Sequence, residues 1–354
     1  MKRIALMAHS AETQKIGLLL VNLGSPEAPT PKALKPYLRE FLMDPDVIDI
    51  PAILRWPLVH WVIVPTRSKT SADLYRKIWT ADGSPLLHNS RLFAAALRHE
   101  LRDRSTLRIE LAMRYGNPGI REGLERLAVR ELDRLIVFPL YPQYAQSSTW
   151  TVQRKVREVL DRMGVSSPVP EWIQPFYADK GYIESARAVA SEAIESFKPE
   201  FSLFSFHGVP ERHVKRQHQI CLAQNSCCDS ITENNRNCYR AQCFSTARSI
   251  AEALKLPPEK YSISFQSRLG RTPWIQPFTD VVIQDLPQRG VRRLAVFCPS
   301  FVADCLETLD EVENRERDRF IKAGGRELRL VPSLNDHPVW VRAAGEIIKG
   351  VLDR

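Results

Sequence analysis

The strongest constraint on the fold of this chain is a series of seven short apolar runs along its 354 residues. The runs are rich in aliphatic side chains and lack the polar alternation of a strand that faces water on one side. Longer amphipathic stretches, such as 122–132 and 243–254, separate them. Strands and helices that alternate in this way predict parallel sheets built from β-α-β units. The runs occupy residues 16–23, 107–113, 134–140, 201–206, 261–265, 293–297 and 328–331.

The two halves of the chain resemble each other in the same order. The letters LGSPE at 23–27 follow the first predicted strand, and HGVPE at 207–211 follow the fourth. The strands RLIVF at 134–138 and RLAVF at 293–297 also match. We therefore predict two similar open α/β domains that face one another, with chance similarity between buried strands as the alternative.

Charge and hydropathy narrow the class of partner. The formal net charge is +9, from 50 Lys and Arg against 41 Asp and Glu, but acids and bases alternate. Without a basic stripe, nucleic-acid binding is not expected, whereas an anionic small molecule or an anionic membrane surface fits. No apolar run approaches the ~20 residues of a membrane-spanning helix, and the N-terminus lacks the long apolar stretch of a signal peptide. A cytoplasmic protein is expected.

Residues 44–65, here called the lip, are rich in Pro, Trp and aliphatic side chains. Internal prolines make this segment a poor single helix. We interpret it as the edge of a binding cleft or as a surface that touches a membrane, with an ordinary capping loop as the alternative. Residues 217–243 are rich in Asn, Gln, Ser and Cys and are interpreted as an insertion.

Ligands in parallel α/β folds bind beyond the carboxyl ends of the strands. His207 stands at such an end, where an imidazole can accept protons near neutral pH, although a structural histidine is equally compatible. A helix is predicted over 301–311, with Asp304, Glu307 and Glu311 on one face. Acids are common at helix starts, but a row of carboxylates also suits a divalent cation. The residues predicted around the cleft are Asn22, Arg114, Tyr141, His207, Gln266 and Pro299.

Seven cysteines are many for a cytosolic chain, and five of them fall between Cys221 and Cys243. Reducing conditions disfavour structural disulfides, so the clustering indicates metal or redox chemistry. His207 as a base and the row of carboxylates on the other side of the cleft indicate either exchange of a metal for protons or a hydrolysis. The spacing does not decide between these two reactions.

Together these segments resemble the ferrochelatase family, whose members insert ferrous iron into a porphyrin. The resemblance covers most of the chain. It rests on LVNLGSP at 20–26, YRKI at 75–78, GSP at 83–85, RY at 114–115, YPQY at 141–144, SST at 147–149, SFHGVP at 205–210, FQSR at 265–268, PW at 273–274, Asp304 with ETL at 307–309, and SLN at 333–335. It implies two Rossmann-like domains, 1–170 and 171–354, each with a four-stranded parallel sheet flanked by helices.

The resemblance also implies the roles of individual residues. His207 corresponds to the family's active-site histidine, which accepts pyrrole protons or binds the metal. Glu307 corresponds to the carboxylate that faces it across the macrocycle, with Asp304 and Glu311 as an acidic relay. The residues implied to contact porphyrin are Leu23, Arg67, Tyr75, Ser84, Arg114 and Trp274.

Protoporphyrin IX and ferrous iron are the implied substrates. Leu23 favours protoporphyrin, since relatives that act on coproporphyrin tend to have Tyr there. Coproporphyrin or another tetrapyrrole, and a haem or iron–sulfur sensor without chelation, are the alternatives. The lip is then expected to attach the protein peripherally to the inner face of the cell membrane. The protein is expected to be a monomer or a homodimer.

The cysteine segment resembles the internal segment that some bacterial ferrochelatases use to hold a 2Fe–2S cluster, which needs four thiolates. Gln146 occupies the position of a cluster ligand in animal members, so that ligand set is absent. Adjacent side chains are expected to diverge, which favours Cys221, Cys238, Cys243 and one of Cys227 and Cys228. If Cys243 is structural, both adjacent cysteines must bind. Structural zinc and free thiols are the alternatives.

Overall fold

The computed structural model of the protein describes residues 14–217, 221, 226–268, 270 and 272–354. Within them, eight strands pair in parallel to form two four-stranded sheets. The strands are β1 (Ile16–Asn22), β2 (Leu107–Met113), β3 (Arg134–Pro139), β4 (Pro170–Trp172), β5 (Phe201–His207), β6 (Tyr261–Gln266), β7 (Arg293–Phe297) and β8 (Glu327–Leu330).

Both sheets have the same topology. The first has the strand order β2-β1-β3-β4 and the second the order β6-β5-β7-β8. The prediction of two α/β units, each with a four-stranded parallel sheet, is confirmed. Strand β4 is absent from the predicted strands because its three residues are half-buried and do not form an apolar run. It adds to the edge of the first sheet at the boundary predicted near residue 170.

Helices cover both faces of each sheet, as parallel strands require. Thr30 caps the first helix by accepting from the backbone N–H of Ala33, and Gly164 in the left-handed region ends the sixth. The described residues form α1 (Pro31–Leu42), α2 (Ala52–Pro57), α3 (Val64–Ile78), α4 (Pro85–Glu100), α5 (Ile120–Arg126), α6 (Thr151–Met163), α7 (Lys180–Ile194), α8 (Glu211–Gln217), α9 (Tyr239–Ala253), α10 (Thr279–Asp285), α11 (Arg317–Lys322) and α12 (Pro338–Leu352).

One hydrophobic core joins the two halves. It contains Leu18 of β1 and Phe204 of β5, both fully buried, together with the inner faces of the helices between the sheets. Trp340 of α12 stacks on Phe93 of α4 and on Phe176, with ring centroids 5.6 and 5.5 Å apart. The C-terminal helix therefore packs against the first half of the chain and fixes the two sheets relative to each other.

The prediction of an α-helix over 301–311 is wrong in its first residue and in the type of helix. Residues 301–305 form a loop, and a π-helix runs over Glu307–Glu316 before α11 continues it. In a π-helix the backbone bonds span five residues, so the spacing of an α-helical face does not apply. Asp304 lies before the helix, while Glu307 and Glu311 remain one turn apart.

Two other predicted helices differ from those observed. The stretch predicted over 122–132 divides into α5 and a short 3₁₀ turn at Val129–Glu131, because Ala128 adopts a left-handed conformation between them. The stretch predicted from residue 243 begins at Tyr239, so α9 includes the last part of the cysteine segment.

The lip is helical from Ala52 onward and leads directly into α3. Its prolines are accommodated by a π-helix at Leu58–Ile63 between α2 and α3. Val59 points into the core, whereas Ile53 and Trp61 are 82% and 71% exposed. The large apolar side chains that the lip exposes are Ile53, Leu54, Trp56, Leu58, Trp61 and Val62. No described helix is long and apolar enough to cross a membrane.

Candidate active site

His207 is the last residue of β5, and its ring has a defined orientation. Its Nδ1 lies 2.7 Å from the carbonyl oxygen of Gly208. A carbonyl oxygen only accepts, so this contact requires a proton on Nδ1 and leaves the lone pair of the neutral ring on Nε2. The geometry thus prepares Nε2 to accept a proton or to bind a metal.

Gly208 is required at this strand end because the chain packs closely there. A Cβ at residue 208 would lie 2.8 Å from the carbonyl oxygen of Gln266 and 3.3 Å from the ring of Trp274. Trp274 also forms an isolated bridge with Pro210. The ring of Phe301 lies edge-on to His207, with centroids 6.3 Å apart. Trp274 and Phe301 therefore provide apolar surface on either side of the turn that carries the histidine.

Gln266 connects His207 to Glu307. It is the register partner of His207 at the end of β6, and its carbonyl accepts from the N–H of Gly208 at 2.7 Å. Its side-chain Nε2 donates to the carbonyl oxygen of Glu307 at 3.0 Å, while its Oε1 accepts from the hydroxyl of Ser205. One buried amide thus fixes the main chain of the acid relative to that of the base.

The carboxylate of Glu307 lies among groups that stay protonated. Burial, followed by the negative charge of Glu307, raises the pKa of the Cys305 thiol, which forms a hydrogen bond with this carboxylate. Burial and the same charge raise the pKa values of Tyr37 and Tyr75, whose hydroxyls form a hydrogen bond with each other. Tyr75 is one of the residues that the resemblance implies, whereas Tyr37 and Cys305 are not among the predicted site residues.

Asp304 and Glu311 differ in their surroundings. The carboxylate of Asp304 is buried and accepts from the hydroxyl of Thr308, the N–H of Ser333 and the amide of Asn335, at 2.8–3.1 Å. Glu311 accepts from the N–H and hydroxyl of Ser267 at 3.1 and 2.5 Å. Asp304 therefore ties the loop before the π-helix to the segment after β8, whereas Glu311 continues from Glu307 along the π-helix.

Two further buried acids lie on the π-helix. Asp310 forms ion pairs with Arg315 at 2.9 Å and with Lys77 of α3 at 3.4 Å. Glu316 forms an ion pair with Arg319 at 2.6 Å, and burial, with the charge of Glu311, raises its pKa to about 7. Their burial could not be predicted, because an α-helical periodicity misplaces them.

Three of the predicted porphyrin contacts, Leu23, Ser84 and Arg67, differ in their surroundings. Leu23 and Phe301 both pack against a small cluster formed by Leu86, Ala303 and Cys305. Ser84 is buried as the N-cap of α4 and also lines a groove of about 550 Å³ beside that helix. Arg67 is exposed on α3, directly after the lip. All three residues belong to the first half of the chain, and the groove beside α4 is lined by residues of that half.

Arg114 belongs to a buried network rather than to an open surface. Its Nε donates to the hydroxyl of Thr151 at 2.9 Å, and its Nη2 forms an ion pair with Asp44. Burial alone would raise the pKa of Asp44, but Arg114 and the hydrogen bonds from Thr151 and Tyr115 lower it below its ordinary value. Arg114 thus anchors the start of the lip.

The thiols of the cysteine segment lie close together. The sulfur atoms of Cys221 and Cys238 are 3.7 Å apart, and those of Cys227 and Cys228 are also 3.7 Å apart. The expectation that the adjacent pair diverges is therefore wrong. Cys243 is fully buried in the hydrophobic core on α9, and residues 218–220 and 222–225 lie outside the described part of the insertion.

Two solved structures share this architecture. SirB from Bacillus subtilis with Fe³⁺ aligns with a TM-score of 0.52 at 14% identity over 96% of each chain. The sirohydrochlorin chelatase SirB from Bacillus subtilis subspecies spizizenii in complex with cobalt aligns with a TM-score of 0.53 at 11% identity. It also covers 96% of each chain. The chain therefore has the fold of these chelatase structures.

Sequence comparison identifies the family. The family model described as Ferrochelatase matches residues 15–351. The protein named Ferrochelatase from Coxiella burnetii (strain Dugway 5J108-111) is 43% identical, over 98% of this chain and 97% of its own. That from Pseudomonas aeruginosa (strain UCBPP-PA14) is 44% identical, over 93% and 96%. The chain belongs to the ferrochelatase family.

The link made by Gln266 predicts the effect of its removal. Gln266→Leu keeps the volume but leaves the carbonyl of Glu307 and the hydroxyl of Ser205 without this partner. We expect kcat for metal insertion to fall by about tenfold or more, because small misplacements of catalytic groups are costly. The free energy of unfolding should fall by about 1–3 kcal/mol. Steady-state kinetics and thermal unfolding measure the two effects.

Ser264→Ala is the matched control for this prediction. It removes another buried hydrogen bond of β6, the 2.8 Å contact with Thr279, without touching Glu307. Its kcat should stay normal while its stability falls. An unchanged kcat for Gln266→Leu, or an equal loss in both variants, would contradict the proposed link.

Proposed function

We propose that this member of the ferrochelatase family inserts ferrous iron into protoporphyrin IX, the terminal step of haem biosynthesis. Membership of the family and the names of its relatives support iron insertion. The observation that carries the residue assignment is the pairing of His207 and Glu307 through Gln266. A protein that only binds haem needs neither a base nor an opposing acid.

The reaction exchanges two pyrrole protons for one Fe²⁺ ion. In the proposed mechanism, Nε2 of His207 accepts protons, because its lone pair is the free one when Nδ1 donates to Gly208. The carboxylate of Glu307 balances the positive charge on the opposite side of the macrocycle. The protonated hydroxyls of Tyr37 and Tyr75 and the thiol of Cys305 add no negative charge to that side.

The acidic relay proposed here contains fewer residues than the resemblance implies. Glu311, one turn from Glu307 and held by Ser267, is the proposed next member. Asp304 is assigned a supporting role, since its two oxygens already accept three hydrogen bonds. It acts by fixing the loop from which Glu307 extends.

Porphyrin is proposed to lie between the first half of the chain and the π-helix. Leu23 and Trp274 supply apolar walls. Tyr75 supplies a polar contact near Glu307, and Ser84 supplies one at the start of α4. Arg67, exposed and after the lip, is suited to a propionate. Arg114 supports the wall from behind through Asp44. The short aliphatic side chain of Leu23 favours protoporphyrin over coproporphyrin.

His207→Ala should abolish insertion of Fe²⁺ into protoporphyrin in single-turnover assays, because the proton acceptor is lost. Glu307→Gln should reduce it by ~10²-fold or more, in the range of acid–base contributions. Loss of Soret absorption of the free porphyrin under anaerobic conditions measures the reaction. Full insertion by the alanine variant would refute the role of His207.

The same assay separates the alternatives. Wild-type protein that turns over coproporphyrin faster than protoporphyrin would establish the other branch of the family. Wild-type protein that binds haem but inserts iron into neither porphyrin would establish a sensor. Arg67→Ala should have a higher KM for protoporphyrin than the wild-type protein, with little change in kcat.

We also propose a 2Fe–2S cluster on Cys221, Cys227, Cys228 and Cys238. Each iron of such a cluster takes two thiolates, and these four thiols form two pairs with 3.7 Å between the sulfur atoms of each pair. Over the described residues, no set of three or more His, Cys, Asp or Glu groups is arranged to hold a metal ion. The proposal of a cluster therefore rests on the two thiol pairs.

Arg240 and Cys243 support this choice of ligands. The hydrogen bond to Cys238 and burial raise the pKa of the Cys228 thiol, and the guanidinium of Arg240, 3.0 Å from its sulfur, acts in the opposite direction. Cys243 is fully buried, and its thiol forms a hydrogen bond with the hydroxyl of Tyr239 rather than with another cysteine. Cys243 is therefore assigned a structural role, which replaces the expected set that included it.

Anaerobically purified protein should be coloured and contain iron and sulfide in equal amounts. Cys228→Ala and Cys238→Ala should lose the visible absorption, whereas Cys243→Ala should keep it. Colourless protein, with or without zinc, would exclude the cluster. Loss of colour in Cys243→Ala with retention in Cys227→Ala would favour the other ligand set.

The lip is proposed to attach the protein to the membrane surface. Six large apolar side chains are exposed on α2 and the π-helix that follows, and Trp56 packs edge-on against Trp61 with centroids 5.3 Å apart. Exposed Lys69 follows on α3 and would face anionic headgroups. An apolar porphyrin and its haem product make such a location useful.

The double variant Ile53→Asp with Trp61→Asp should lose binding to vesicles that contain anionic lipid, measured by co-sedimentation at low and physiological salt. Val281→Asp, at a 46% exposed apolar residue of α10 in the second half, is the control and should bind like wild type. Equal binding by all three proteins would exclude the lip as the attachment surface.

A further inference from the structure

Two hydroxyl groups hold one side of the His207 main chain. β7 ends at Phe297, whose register partner is Phe204, so His207 extends beyond the end of β7. On that side the N–H of His207 lies 3.4 Å from Oγ of Ser300. Its carbonyl oxygen accepts from the hydroxyl of Tyr239 at 2.7 Å, and the two hydroxyls are 3.2 Å apart. Side chains thus replace the missing strand.

The peptide group between His207 and Gly208 is held at both ends. Its carbonyl accepts from Tyr239, and its N–H donates to the carbonyl of Gln266 at 2.7 Å on the other side. The imidazole itself is bonded to the carbonyl of Gly208. Any tilt of this peptide group therefore changes the direction in which Nε2 points.

Tyr239 is suited to hold this group firmly. It is buried at the start of α9, and its hydroxyl donates to the carbonyl oxygen of His207 at 2.7 Å. A buried donor to a backbone carbonyl has a defined direction, unlike one that exchanges with water.

We propose that Tyr239 is a positioning residue for His207, which fixes the orientation of the imidazole through the His207–Gly208 peptide group. The inference rests on the proposed role of His207 in metal insertion. Tyr239 touches neither the reacting nitrogen nor the substrate in this scheme. Its effect therefore falls on kcat, which depends on orientation, rather than on porphyrin binding.

The test compares Tyr239→Phe with Tyr182→Phe. Tyr182 is also buried, and its hydroxyl likewise donates to a backbone carbonyl at 2.7 Å, that of Pro299. Each variant loses one hydroxyl and its hydrogen bond to a backbone carbonyl, but only Tyr239→Phe removes a bond to His207. Proteins labelled with ¹³C at histidine Cε1 report the imidazole directly by NMR, with the His207 signal assigned from His207→Ala.

For Tyr239→Phe we expect kcat to fall by about tenfold with KM for protoporphyrin within about twofold, and the His207 signal to shift. Tyr182→Phe should leave kcat and that signal unchanged. An unshifted signal in Tyr239→Phe, or equal changes in both variants, would overturn the proposal. If Tyr239→Phe does not fold, Ser300→Ala removes the contact to the His207 N–H and must shift the signal instead.

The NMR comparison also separates this inference from the proposed function. Wild-type protein without chelatase activity would overturn the proposed function, yet the shift of the His207 signal would still test the positioning. Conversely, active wild-type protein with an unshifted signal and normal kcat in Tyr239→Phe would overturn the positioning alone.

Discussion

The proposed active site depends on the hydrogen bond between the side chain of Gln266 and the carbonyl oxygen of Glu307. His207 and Glu307 are a hundred residues apart: His207 ends β5, and Glu307 begins the π-helix that follows β7. The strand β6 brings them together because its last residue pairs with His207 on the ladder and reaches Glu307 with its amide. A buried amide that satisfies both neighbours holds this geometry with little freedom.

Buried charges hold the first half of the chain against this pair. Lys77 of α3 reaches Asp310 on the π-helix, and Asp44 at the start of the lip anchors Arg114. Asp49 of the lip pairs with Arg212 on α8, and this hydrogen bond lowers the pKa of Asp49 below its ordinary value. Removal of one member of such a pair leaves a buried charge without compensation. The wall of the cleft therefore depends on these ion pairs as well as on apolar packing.

Most of the fold could be predicted because buried parallel strands have a strong signature. Seven of the eight strands coincide with the predicted apolar runs, and each end differs by no more than one residue. The matching segments LGSPE and HGVPE lie at the ends of the equivalent strands β1 and β5. β4 could not be predicted, since three half-buried residues make no pattern. The π-helix could not be predicted either, because nothing local distinguishes Glu307–Glu316 from an α-helix with acids on one face.

Residues of the candidate site could be predicted where their position along a strand determines exposure. They could not be predicted where contacts with distant segments determine whether a side chain is buried. His207 follows from its place at the end of β5, but the burial of Asp304 among Thr308, Ser333 and Asn335 depends on a segment thirty residues away. Tyr37 and Cys305 look like ordinary core residues in the sequence. Only the fold brings their side chains next to Glu307.

The cysteine segment lies in the connection between β5 and α9, where the extra length of an insertion has a small entropic cost. Its position nevertheless matters for the site, because Cys238 caps α9 and Tyr239 is the next residue. Whatever holds the thiols of Cys221 and Cys238 together also holds the start of this helix. Tyr239, whose hydroxyl donates to the carbonyl of His207, is the residue after Cys238, so one peptide bond and one hydrogen bond connect the insertion to His207.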